Sequence, residues 1–126
     1  MKRSWLGAGL LVILLLGGIL SAQWMKHTHE KMASFAREAA EAALEEDWSM
    51  AEGQIRNIKE KWQRCWHFSA AMSSHSDLEQ IETLFVQLEV YARSGERVAY
   101  AASCVQLQMQ FQALAEAQCL NWWNLL

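Results

Sequence analysis

The chain has 126 residues, no proline, six glycines and a formal net charge of −3; with Lys2 and Arg3 set aside as an N-terminal pair, 9 basic residues face 14 acidic ones. Nucleic-acid binding rests on clustered Lys and Arg that displace phosphate counterions, so this balance excludes it as a main role. The roughly one hundred residues after the first apolar stretch are enough for one core and too few for two, and a composition rich in Ala, Glu, Gln and Leu favours long helices over strands.

Trp5 and Trp24 bracket a run with no ionisable side chain between Ser4 and Met25, and its centre reads Leu10-Leu11-Val12-Ile13-Leu14-Leu15-Leu16. At about 1.5 Å per residue the distance between the two indoles matches the ~30 Å hydrocarbon core of a bilayer. Both tryptophans stand where interfacial aromatic belts occur. A cleaved signal peptide has a shorter apolar region, about 7–15 residues, and a small-x-small cleavage site. Here the best cleavage point, after Ala22, has Leu20 where a small residue is preferred, and no Cys follows that would take a lipid. An uncleaved signal anchor over residues 1–25 is therefore expected. Lys2 and Arg3 are the only charges before it, which keeps the N-terminus in the cytoplasm and puts residues 26–126 outside.

The exterior part divides into four helical segments. Met25, Thr28, Met32, Phe35, Ala39 and Ala42 recur at three- and four-residue steps and continue the membrane helix as one amphipathic face. Glu45-Glu46-Asp47 opposes the dipole at a helix C-terminus and suits an N-terminus, so a turn belongs there, with Asp47, or Ser49 and Glu52 as a capping box, starting the second helix. Its stripe is the cleanest in the chain: Trp48, Ala51, Ile55, Ile58, Trp62, Cys65, Ser69 and Met72, with Trp66 beside it. Residues 73–77 break that helix. Ser76 with Glu79 is a capping box for a third helix that buries Leu78, Ile81, Phe85, Leu88 and Ala92, and Ser94-Gly95 ends it. The fourth helix offers Tyr100, Cys104, Leu107, Phe111 and Leu114 and stops near Asn121.

The anchor, the Asp47-Trp48 pair with Ala51, Trp62 late in the same helix, His75 before Asp77-Leu78-Glu79-Gln80-Ile81-Glu82, and a final Asn124-Leu125-Leu126 together resemble the bacterial domain-of-unknown-function family numbered 4363. Nearly the whole chain takes part in the likeness. The resemblance implies an anchored helical protein of Gram-positive, often anaerobic, bacteria, and it brings no activity with it. The Asp47-Trp48-x-x-Ala51 turn is also similar to turns in tetratricopeptide-like repeats. A shift of fifty residues pairs Trp48 with Val98 and Ala51 with Ala101, but then sets Trp62 against Gln112, so two similar α-hairpins are a better description than a repeat array.

Sites of chemistry are sparse. His27 and His29 lie two apart, about 200° around a helix, which prevents one shared ion and favours two solvated rings near the headgroups. Cys65, Cys104 and Cys119 have no Cys-x-x-Cys spacing. Cys104 and Cys119 sit ~22 Å apart on one helix and cannot bridge; a Cys65–Cys104 bridge is conceivable, though buried single thiols are favoured. His75, in the turn, precedes Asp77 and Glu79 and is the one candidate metal or pH site, with a turn-fixing His as the plainer alternative. Phosphate loops, dinucleotide fingerprints and hydrolase motifs are absent from the sequence, and no enzyme or cofactor is expected.

The expected architecture is all-α: one transmembrane helix, then a four-helix antiparallel bundle of two α-hairpins for which tetratricopeptide-like packing is one form. Trp5, Trp24, Trp122 and Trp123 are expected at the membrane interface, and Asp47, Trp48, Ala51 and Trp62 in structural roles. The expected function is a protein–protein interaction or accessory module whose partner is another membrane or envelope protein. The alternative is a ligand or metal sensor around His75.

Overall fold

The computed structural model describes residues 2–72 and 74–125, with the side chains of Phe68, Met72 and residues 118–125 left aside. These residues form four helices and no strand: α1 (Lys2–Leu44), α2 (Trp48–Met72), α3 (His75–Ser94) and α4 (Arg97–Leu125). The apolar run and the first amphipathic segment are one unbroken helix of 43 residues, so the boundary expected between residues 25 and 26 is not a break in the backbone. It is a change in what surrounds the helix. Upstream of Met25 the large side chains are open, with Leu10 and Leu11 each 61% exposed; from Met25 onward one face is buried.

Short turns with defined hydrogen bonding separate the helices. At the end of α3, Gly95 takes a left-handed conformation (φ 69°), and the N–H groups of Gly95 and Glu96 bond the carbonyls of Ala92 and Tyr91. This is the double-bonded left-handed terminus for which glycine is the usual residue. The end of α1 closes in the same way without glycine. Glu46 sits at φ 61°, Glu46 N–H bonds Ala43 O at 3.0 Å, and Asp47 N–H bonds Ala42 O at 2.9 Å. Asp47 then caps α2, its carboxylate accepting from the Met50 N–H at 3.3 Å.

The cap of α3 differs from the expected one. Ser74, not Ser76, is the N-cap: its hydroxyl accepts from Asp77 N–H at 3.3 Å and donates to the Asp77 carboxylate at 2.8 Å. His75 therefore occupies the first turn of α3 rather than the loop. Moving the cap two residues upstream leaves a two-residue connection, and Asp77 rather than Glu79 becomes the acidic partner of the cap. At the other end of the chain α4 continues past Asn121 to Leu125.

One core joins all four helices. The most extensive interface is between α1 and α4, followed by α1 with α2 and α3 with α4; α2 and α3 touch only sparsely although they are consecutive in the chain. Alanines explain the first of these. Ala33, Ala36, Ala39, Ala40 and Ala43 line the buried face of the later turns of α1, and Ala101 and Ala115 lie on that of α4, so small side chains let the two helices approach closely there. Aromatic rings fill the wider space below: Trp62 meets Phe111 edge-on with centroids 5.8 Å apart, and Trp48 meets Tyr100 at 5.2 Å. Among the described side chains the stripes expected on α2, α3 and α4 are the buried ones, with Trp48 and Ala92 half-buried at their margins and Leu84 added on α3; Met72 of the α2 stripe lies outside those side chains.

Candidate functional site

The sparse contact between α2 and α3 leaves a groove of about 370 Å³. Its floor is apolar. Ile55 from α2, Phe85 and Leu88 from α3, and Tyr100 from α4 line it, and all four belong to the core that supports it. Its rims alternate in sign, with Glu52, Arg56 and Lys59 on α2 and Glu89 and Arg93 on α3. The Lys59 ammonium stands 5.7 Å from the centre of the Phe85 ring, a cation–π distance, and Arg93 pairs with Glu89 at 3.4 Å one turn away. Each of these rim residues directly follows a residue of the core stripes, which is the only signal of them in the sequence.

A bridge closes one end of the groove. The Trp62 indole N–H donates to the Glu82 carboxylate at 3.0 Å, tying α2 to α3 where both approach their shared turn. A buried indole with its N–H satisfied is far cheaper than one left unpaired. Beyond the bridge lies a second hollow of about 340 Å³ lined by Trp66, His75, Leu78, Glu79, Glu82 and Thr83. Tyr100 lies under the main groove with 1% of its surface exposed; burial, then the neighbouring Cys104 and Glu52, push its hydroxyl above the ordinary tyrosine range. It stays neutral and serves as floor.

His75 makes one ion-pair contact, Nε2 to the Glu79 carboxylate at 3.1 Å, and both side chains are largely in solvent. Asp77, the third member of the expected set, is held by Ser74 instead. No group of three His, Cys, Asp or Glu side chains placed to hold a metal ion occurs among the described residues.

The histidine pair that follows the apolar run is split. His27 is exposed as expected, but His29 is fully buried, its ring stacked on Phe111 with centroids 6.4 Å apart and planes 15° from parallel. The expectation that both rings are solvated is corrected on this point. Met25, His29, Met32, Ala36, Ala39 and Ala43 step by four and three, and that stripe, slightly rotated from the one through Thr28 and Phe35, is the face turned to α4. Thr28 and Phe35 lie at its edge, half-buried, and Thr28 donates to the Trp24 carbonyl at 2.9 Å.

Cys65 and Cys104 are free, buried thiols. Burial raises both, Cys104 to about 12, so neither is a nucleophile at neutral pH. Cys119 lies outside the described side chains, as do Trp122 and Trp123. Trp5 and Trp24 are open at 85% and 60% exposure. Ala51 and Trp62 are buried in the core, Trp48 is half-buried at its edge, and Asp47 is the cap of α2.

No curated protein and no solved structure matches the chain. The family described as Domain of unknown function (DUF4363) matches over residues 19–125, from the last turns of the apolar stretch to the end of α4. A match over that much of the chain makes the protein a member of the DUF4363 family.

Proposed function

We propose that this protein is a membrane-tethered helical interaction module that holds an amphipathic helical segment of another membrane or envelope protein in the groove between α2 and α3. The single observation that carries this reading is the groove itself. Two consecutive helices joined by a two-residue turn normally pack along their length, yet here they part over an apolar floor with charged rims, the surface that a helix with one apolar face and mixed flanking charges fits. The reading is of binding rather than catalysis, because the groove offers rims of ordinary surface charge and a neutral Tyr100 in place of any activated group.

The tether is the first half of α1, the one helix among the described residues long and apolar enough to cross a membrane. Lys2 and Arg3 orient it with the helical domain outside. In this reading the four helices run up and down as two hairpins, α1 with α2 and α3 with α4, and the groove opens on the side away from the α1–α4 interface.

Photo-crosslinking in cells tests the proposal. A photoreactive residue at Lys59 or Glu89 should give one discrete crosslinked species, and Arg56→Glu should weaken it. The same residue at Ser34, on the open face of α1, should not give that species. Equal capture from groove and outer face would remove the groove from the function.

A further inference from the structure

Helix α4 is longer than its partners need it to be. Two contacts establish how it runs beside α1: Glu46, just past the end of α1, pairs with Arg97 at 3.5 Å, and His29 stacks on Phe111. Each step up α4 is thus a step back along α1. From Phe111 the helix continues 14 residues to Leu125, about 21 Å. The same distance back from His29 ends near Leu15, well inside the apolar run.

Burial on α1 follows this register. Met25 is buried, and among residues 2–24 only Gly18 and Ala22 are partly covered. Gly18, Ala22, Met25 and His29 are spaced four, three and four, so they continue one face. Small residues four apart are what lets two helices approach closely inside a bilayer. Charge follows the register as well. Lys26 is the first charged residue after the apolar run and Glu116 the last in α4, and the two stand at nearly one level. Both helices lose their charges at the same height.

We infer that α4 beyond Glu116 is a second membrane-inserted element: a half-helix seated on the Gly18 and Ala22 face of α1, with lipid acyl chains of the domain-side leaflet around its remaining faces. Nine residues at 1.5 Å carry it ~13 Å below the level of Trp24, just short of half the ~30 Å hydrocarbon thickness. The last four carbonyls of a helix lack intrahelical partners and are costly in hydrocarbon, so the segment tilts and ends shallower than this straight-helix depth. The inference rests on α1 spanning the bilayer.

Spin-label depth measurements test it on the full chain in phosphatidylcholine–phosphatidylglycerol vesicles, with Cys65, Cys104 and Cys119 replaced by alanine and single labels at Leu14, Glu116, Leu120 and Asn124. Labels at Leu14, Leu120 and Asn124 should relax mainly with oxygen, and the Glu116 label mainly with an aqueous nickel chelate. Gly18→Leu should shift the Leu120 and Asn124 labels toward nickel while leaving Leu14 deep. A deep Leu14 label with Leu120 and Asn124 as nickel-accessible as Glu116 would overturn the inserted half-helix and leave the anchor standing. A nickel-accessible Leu14 would overturn the anchor and the half-helix together. Deep α4 labels unmoved by Gly18→Leu would overturn the seat on α1.

Discussion

The two halves of α1 share one backbone and oppose each other in every other respect. The first half carries nearly all the large aliphatic side chains of this helix and leaves them open, Ile13 and Leu14 at 68% and 65% exposure; the second is built on alanine and is buried along a face. An exposed cylinder of leucine and isoleucine is far larger than the apolar patches that soluble monomers tolerate, and in the proposed reading its solvent is lipid. Alanine contributes little transfer energy per residue, and its value in the second half is closeness: it lets α4 come near enough for both backbones to pack. Apolar content alone therefore says little about where a core lies. Side-chain size and the presence of a partner helix decide it.

The strongest way to break this comparison is to remove the cover of the second half. Trp62 joins α2 to Phe111 of α4 and to Glu82 of α3, and Trp62→Ala should cost about 3–5 kcal/mol. Thermal melts of the reconstituted chain should fall accordingly; an unchanged melting temperature would mean that the rings are not the centre of the fold. In the first half, Leu14→Lys places a charge mid-span at a cost of about 2.5–3.5 kcal/mol of insertion. Fractionation should then find more of the chain outside the membrane pellet, whereas an exposed leucine of a soluble helix would tolerate lysine without effect.

A matched pair sharpens the contrast. Ala36→Leu should destabilise the helical domain by about 1–3 kcal/mol through overpacking against α4, while Leu14→Ala should leave its denaturation unchanged. The smallest effect is expected at the turn after α1. Glu46 holds a left-handed conformation that costs a non-glycine residue about 1 kcal/mol, and its exposed pair with Arg97 offsets little of that. Glu46→Gly should therefore raise stability by up to about 1 kcal/mol in urea denaturation.

Much of this was legible in the residues. The stripes of α2, α3 and α4 stand out because bulky side chains recur at helical spacing, and Gly95 and Asp47 mark helix ends by chemistry that only a few residues can supply. Glu46 was not legible as a left-handed terminus, because it gains the conformation from two backbone hydrogen bonds and not from its own propensity. Ser74 and Ser76 offer the same hydroxyl, and only the length of the turn separates them. His29 was hidden by its polarity: hydropathy assigns it to water, while its position four residues after Met25 and three before Met32 turns it to Phe111. The groove is the least legible feature. It exists because α2 and α3 fail to close, and a failure of contact leaves no residue pattern beyond ordinary rim charges.

Hydrogen exchange of the full chain in lipid nanodiscs, followed through increasing urea, tests most directly whether lipid holds one half of α1 and protein the other. Amides of residues 29–43 should lose protection together with those of α4, in one transition, while amides of residues 8–16 stay protected beyond it. A single transition shared by both halves would contradict the account, because it would place the apolar half of α1 in a protein interface and not in the bilayer.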